Sequence, residues 1–470
     1  MFKRKKILVI GSGFGGLSAA IRLASQGHEV TILEKLDNWG GRAYQHSING
    51  FKFDGGPTVI TAPYQYDELF SLAGKRREDY FQLVPLDPFY RIFKDPETHF
   101  DYWRNTRQAE FEVSKFNPAD CAGYRKFIKG TTELFNWFHP YTEKSFNRFK
   151  EFARIFPHVL GSGTWRSMYG YAAQYIQDDF LRKVCSFHPL LIGGNPFDTP
   201  SIYGLIIQFE REWGVHYATG GTGAIVNGLG QLFRECGGTI HFNTEVAEIL
   251  IRNQQAVGVR LQDGTRLYAD EVICNGDIGQ AYQQLLPPHE VPRAYQWRMK
   301  NKSYSNSLFV LYFGTKYNYA ASKLQHHNLI LDGNYRQLMG DIFDRKKLPG
   351  NLGLYIHMPS RTDTTIAPEG CGSFYALSLV PNLTASLDWE QLAPSYTDQL
   401  LSYLQKNYLP DLKQNIVAQH TLTPLDFKNR LNSYQGAAFS IKPSMLQSGY
   451  FRPQVKSPHF EHLYFVGAGV

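Results

Sequence analysis

The sequence predicts an α/β protein: a parallel sheet assembled from separated segments, with a discontinuous mixed α+β block and a helical, aromatic-rich region. Three observations predict it. The apolar run Lys6–Ile10 is followed by a glycine-rich turn, a helix-patterned stretch and a second apolar run over residues 29–34. Short β-branched runs return over residues 271–274 and 463–466, far along the chain. The 470 residues exceed what one simple core accommodates and imply two or three domains.

The N-terminal unit is justified residue by residue. Ile7, Leu8, Val9 and Ile10 form an unbroken apolar run, the pattern of a parallel strand buried on both faces. Gly11-Ser12-Gly13-Phe14-Gly15-Gly16 then reads G-x-G-x-x-G, and Leu17 to Ala24 carries a helical apolar face that Gly27 ends. Gly11 allows the tight turn, Gly13 lets backbone approach a pyrophosphate, and Gly16 lets helix and strand pack closely. A helix N-terminus presents free N–H groups and positive dipole to phosphates. Glu34, about 20 residues beyond the glycines, closes the second strand where an acid can accept ribose hydroxyls. Strand, glycines, helix, strand and acid in that order predict a Rossmann-like dinucleotide site. They do not separate NAD(P) from FAD.

Two further loops bear on that choice. Gly40-Gly41-Arg42 sets paired glycines and a guanidinium just after the acid, suited to a charge-assisted clamp on a pyrophosphate. Gly55-Gly56-Pro57-Thr58 supplies a third glycine-rich turn. A long, buried flavin needs several backbone loops along its length, and together these favour FAD.

Those residues also carry a resemblance. Gly40-Gly41-Arg42 and the stretch from Gly50 to Thr61 resemble the flavin-dependent carotenoid desaturases, most closely the bacterial-type phytoene desaturases. The likeness continues through Gly193-Gly194-Asn195-Pro196, Glu210-Arg211-Glu212-Trp213-Gly214, Gly220-Gly221-Thr222-Gly223, Ser305 to Gly314, Ala367 to Ser373, Thr423 to Phe427 and Gln447 to Pro453, in order over nearly the whole chain. The resemblance implies an FAD cofactor held by Gly11, Ser12, Gly13, Phe14, Gly15, Gly16, Glu34, Lys35, Gly41, Arg42, Gly55, Gly56, Pro57, Thr58, Val246, Asn275, Asp277 and Gly467. It implies desaturation of a colourless carotene such as phytoene, by hydride transfer to the flavin plus proton loss, with oxygen or a membrane quinone as final acceptor. In the family the closing strand runs on into a Thr-His-Pro-Gly-Ala-Gly turn and a helix. This sequence ends at Val470, so a further C-terminal segment is expected and the C-terminal half of the flavin site is the less complete.

The expected organisation follows. Residues 1–63, 220–277 and 426–470 form a discontinuous FAD-binding domain. Residues 64–219 form a helical, aromatic region facing substrate and membrane, and residues 278–425 a mixed α+β substrate domain. The runs on either side of Asp263-Gly264 predict a β-hairpin. Aromatics reach 15% of residues and the net charge is +7. Phe146, Phe149, Lys144, Arg148, Lys150 and Arg154 mix rings with positive charge, as an interfacial surface does.

Several classes are excluded. The five cysteines, Cys121, Cys185, Cys236, Cys274 and Cys371, are scattered and odd in number, against a disulfide framework or zinc site. Glycines break the run after Lys3-Arg4-Lys5-Lys6 where a signal peptide needs helix. No uninterrupted apolar stretch reaches the roughly 18 residues of a membrane span, so a cytoplasmic, peripherally membrane-associated protein is expected. Without long basic tracts, nucleic acid is not an expected partner.

A hydrocarbon substrate needs no metal or nucleophile. No His-Glu-x-x-His or Gly-x-Ser-x-Gly occurs, no metal is expected, and His326-His327 reads as a loop pair. Asp178 and Arg182, spaced i and i+4, are the candidates for catalytic proton handling, with a surface ion pair as the plainer reading. His188 reads as a packed core histidine, and Glu210 and Glu212 as weaker base candidates. Alternatives are a related flavin oxidoreductase (a carotenoid oxidase, polyene saturase or amine oxidase), a non-catalytic lipid-binding relative, or a nicotinamide-only dehydrogenase.

Overall fold

A computed structural model describes residues 3–142, 154, 157, 159, 161–331 and 333–470. Lys144, Phe146, Arg148, Phe149 and Lys150, singled out for an interfacial surface, lie outside the described residues. Two sheets organise the chain. The first is five-stranded, in the order Leu463–Phe465, Glu271–Cys274, β1 (Lys6–Ile10), β2 (Glu29–Leu33), Thr239–His241, and every pairing in it is parallel.

β1 is central because its apolar run suits both faces: Ile7, Leu8, Val9 and Ile10 are all buried. In α1 (Phe14–Ser25), Leu17, Ala20, Ile21 and Ala24 share one buried face at helical spacing. Gly27 ends it at φ +89°: its N–H donates to the Ala24 carbonyl at 2.9 Å and that of His28 to Leu23 at 3.2 Å.

The second sheet is seven-stranded, in the order Ile416–Leu422, Ser307–Thr315, Gly372–Val380, Leu354–His357, His327–Ile330, Tyr90–Phe93, His99–Tyr102. Ser307–Thr315 is buried throughout, and helix Trp389–Asn407 covers one face through Trp389, Tyr396, Leu400 and Leu404. The opposite face turns to the cavity described below. Two strands of this sheet come from the region expected to be helical. Tyr90–Phe93 pairs in parallel with His327–Ile330, so residues 64–219 and 278–425 share one sheet. Pairing between segments more than 200 residues apart leaves no local signature. The predicted hairpin forms between Gln255–Leu261 and Arg266–Tyr268, with Val246–Arg252 as its third strand.

Among the described residues no helix is long and apolar enough to cross a membrane. The helical layer is tied down by a buried polar cluster. Tyr90 donates to Glu210 at 2.6 Å, and His188 Nε2 lies 3.1 Å from the other carboxylate oxygen, with all three side chains buried. Burial, then Glu210, push the Tyr90 phenol well above its ordinary range. His188 is thus a core histidine, and Glu210 holds the layer together instead of facing substrate. Glu210→Ala, which strands a buried phenol and imidazole, is expected to lower the unfolding free energy by about 3–5 kcal/mol. Glu210→Gln keeps an acceptor and is expected to cost less; urea unfolding of both variants checks the order.

Candidate functional site

Parallel strands aim their carboxyl ends at one edge of a sheet, and the strand order reverses beside β1, which opens a crevice there. A cavity of about 660 Å³ occupies that crevice and runs from the glycine loops to the second sheet. Gly11, at φ +89°, turns the chain from β1 into α1. No side chain caps the N-terminus of α1, so its first-turn N–H groups remain for an anion. A Cβ at Gly16 would fall 2.1 Å from the Gly11 carbonyl oxygen, so this glycine serves helix–strand packing and does not line the cavity.

Glu34 is buried at the end of β2. Its carboxylate accepts from the Ser12 N–H at 2.7 Å, the Ser12 hydroxyl at 2.6 Å and the Leu36 N–H at 2.8 Å. The carboxylate therefore also shapes the turn it faces. Lys35 reaches Asn432 Oδ1 at 2.8 Å and Glu245 at 3.2 Å, beside Val246. The second glycine loop docks on the first, the Gly40 N–H donating to the Ser12 carbonyl at 3.1 Å. The third lies on the second: Cβ atoms at Gly55 and Gly56 would sit 2.3 and 2.2 Å from the carbonyls of Tyr44 and Arg42. Such contacts explain why both positions lack a side chain.

Arg42 and Asp277 meet across the cavity with Nη2 and Oδ2 3.7 Å apart. Burial pushes the Asp277 carboxyl up and Arg42 draws it back. Arg42 Nε is buried with no hydrogen-bond partner among the described residues. Asn275, at the end of Glu271–Cys274, crosses the glycine turn, its amide nitrogen 2.9 Å from where a Gly13 Cβ would stand. Ser12, Gly13, Phe14, Gly15, Gly41, Pro57, Thr58 and Gly467 also line the cavity. An uncapped helix N-terminus, a buried guanidinium nitrogen without a partner among the described residues and three glycine-rich turns fit an extended dinucleotide.

Beyond these loops the wall changes character. Leu308 and Val310, and Leu377 and Leu379, alternate off two strands of the second sheet onto one face, joined by Leu329 on His327–Ile330 and Leu331 just past that strand's end. Leu338 and Met339 also line the cavity. No Asp or Glu is found among the described residues lining this half. Tyr355 and Tyr375 join the wall and bracket Thr58: both phenols lie 2.9 Å from its hydroxyl. The alternation over residues 307–315 and 372–380 was available in the sequence; which face it would present was not.

Asp178 and Arg182 lie elsewhere, which corrects their reading as proton handlers. Asp178 is the N-cap of helix Asp179–Ser186, accepting from the Leu181 N–H at 2.9 Å, and so stands outside the helix whose face it was to share. Arg182 turns back to donate to the Ile176 carbonyl at 2.8 Å. Neither lines the cavity. His326 and His327 are likewise not a loop pair. His327 begins a buried strand, and its antiparallel register partner is His357, which gathers three buried histidines.

The model of the family described as flavin containing amine oxidoreductase matches residues 14–470. A phytoene desaturase (lycopene-forming) from Pseudescherichia vulneris is 43% identical over 99% of this chain and 94% of its own, and one from Pantoea ananas is 42% identical over the same shares. A phytoene desaturase (neurosporene-forming) from Cereibacter sphaeroides is 39% identical over 99% of this chain and 90% of its own. Among solved structures, an oxidoreductase from Methanosarcina mazei superposes with a TM-score of 0.64 at 18% identity, covering 99% of this chain and 95% of that one. A putrescine oxidase variant gives 0.66 at 11% identity, covering 98% and 92%. These two share the fold. The chain belongs to the flavin containing amine oxidoreductases and, within them, to the FAD-dependent carotenoid desaturases.

Proposed function

We propose that the chain desaturates a long, uncharged polyene such as phytoene, in carotenoid biosynthesis. The observation that carries the reading is the single cavity whose one end is built of glycine turns and whose other end is leucine-lined and free of carboxylates among the described residues. An amine substrate would call for an anionic or aromatic-cage partner, and a hydrocarbon calls for neither. The names of the relatives that match along nearly the whole chain support the same substrate class.

The cofactor-holding residues are proposed as follows. The first turn of α1 takes the pyrophosphate, Arg42 clamps it, Glu34 accepts from the ribose, and Val246 lies at the adenine end. Asn275, Asp277 and Gly467 line the crevice between the two sheets. Bound FAD supplies a two-electron acceptor for a hydride. The leucine half binds the chain of the substrate, excludes water and orients the carbon pair, and Tyr355 and Tyr375 present the polar atoms nearest to it. Such a substrate resides in lipid, which supports peripheral membrane attachment. The ring cluster Trp137, Phe138 and Tyr141 at the end of helix Asp120–Thr142 and the +7 net charge suit an anionic surface. Oxygen or a membrane quinone would take the electrons onward.

Two outcomes follow. Incubated with FAD and phytoene in anionic liposomes, the protein is expected to float with the vesicles and produce coloured polyenes. A colourless reaction under a range of acceptors would remove the reading. Glu34→Gln, which keeps shape and loses charge, is expected to weaken FAD binding about tenfold or more, as loss of a charge-assisted hydrogen bond does; flavin absorbance after gel filtration reports it.

A further inference from the structure

Desaturation leaves a proton to be disposed of in the apolar half of the cavity, where the described lining residues include no carboxylate. We propose that Tyr355, His327, His357 and His326 carry that proton from the cavity to the protein surface at Thr362. The proposal rests on the desaturase reading above and goes beyond it in assigning the route.

The route can be followed atom by atom. Tyr355 lines the cavity, and its phenol oxygen lies 2.9 Å from Thr58 Oγ1 and 2.6 Å from His327 Nδ1. His327 and His357 are paired across adjacent antiparallel strands, with rings stacked at 5.3 Å and 18°. His357 Nε2 lies 3.0 Å from His326 Nε2, and His326 Nδ1 lies 2.7 Å from the hydroxyl of Thr362, which is exposed. All three histidines are buried. One joint is not hydrogen-bonded, that between His327 and His357. His327 Nε2 and His357 Nδ1 are buried without hydrogen-bond partners among the described residues, and a nitrogen from each of the three rings falls within 4.8 Å of the others. The final ring torsion of histidine is broad and soft, so a ring rotation closes such a gap.

The chemistry balances with every ring neutral at rest. A C–H bond next to the carbon that has lost its hydride breaks, and its electron pair becomes the new double bond. The proton passes to the Tyr355 oxygen as the phenol proton moves to His327 Nδ1. His327 releases its Nε2 proton across the joint to His357 Nδ1, the His357 Nε2 proton moves to His326, and the His326 Nδ1 proton leaves by Thr362 to water. Each ring exchanges one tautomer for the other, and proton exchange with water between turnovers, lost from one ring nitrogen and gained at the other, restores it. Burial drives all three imidazoles well below their ordinary range, His357 adding to this at His326, His326 at His327 and His327 at His357. The resting rings are therefore neutral, and each has to release a proton from one nitrogen as it takes one at the other. Three histidines so placed are also a ligand set that a divalent metal such as zinc can use, and metal analysis of the purified protein separates that reading from the route.

The test uses the whole FAD-loaded chain and two kinds of readout. In ¹⁵N-histidine spectra, the His327 ring proton is expected to exchange with water faster in the native chain than in His326→Phe, which cuts the path away from the cavity. This readout needs no turnover and stands whether or not phytoene is the substrate. With phytoene, Tyr355→Phe and His326→Phe are each expected to lower kcat about 10²-fold, the lower end of what positioned proton transfer contributes, with KM and flavin content unchanged. The solvent deuterium effect on kcat should shrink in Thr362→Val, an exposed change that the fold tolerates. Should His326→Phe not fold, Tyr355→Phe, which removes one oxygen and keeps the ring, decides. Unchanged exchange and unchanged kcat would overturn the route. So would a stoichiometric divalent metal in the purified protein whose removal reproduces the variants.

Discussion

Parallel pairing of Lys6–Ile10 with Glu271–Cys274 is the contact on which the site depends. It sets Gly11 to Gly15 beside Asn275 and Asp277 although the two segments are far apart in the chain. Leu463–Phe465 adds to the same edge and brings Gly467 against the turn. Parallel strands need crossover connections, and here the crossovers are long enough to contain the second sheet. Cofactor end and substrate end are thus made by one chain path, and neither crevice wall exists until the long-range pairing forms.

Within that frame the division of labour is electrostatic. Dipoles, the Arg42 guanidinium and the Glu34 carboxylate gather at the loop end, where an anionic, hydroxyl-bearing ligand would pair with them. The leucine face of the second sheet offers a ligand no charged group among the described residues, only the phenols of tyrosines such as Tyr355 and Tyr375. A hydrocarbon held there is positioned by shape alone, and charge developing on it would be met by tyrosine oxygens and aromatic faces. The buried cluster of Tyr90, His188 and Glu210 lies apart from this chemistry and holds the helical layer to the sheet.

How much of this was legible depended on whether the constraint was local. Glycines that lack a side chain because a Cβ would strike backbone, such as Gly16, Gly55 and Gly56, leave a mark in the sequence itself, and the loop end could be named from it. Gly16 shows the limit: the resemblance placed it with the ligand, while its close contact is the Gly11 carbonyl just past β1, the packing role that the motif gives it. Asp178 was misread because spacing within a helix was assumed where the residue caps one. Tyr355, Tyr375 and the leucine wall were not named because strand register, which decides the face each residue meets, is set by partner strands elsewhere in the chain: Leu354–His357 pairs with both His327–Ile330 and Gly372–Val380. His357 joined His326 and His327 by the same rule.

The most direct test of a shared cavity is a crystal structure of the FAD-loaded chain soaked with a conjugated polyene. The expected result is the nucleotide between Glu34, Arg42 and the start of α1, with the polyene against Leu308, Leu329 and Leu377 in the same continuous cavity. Polyene density on any other surface, or flavin density away from the glycine turns, would contradict it.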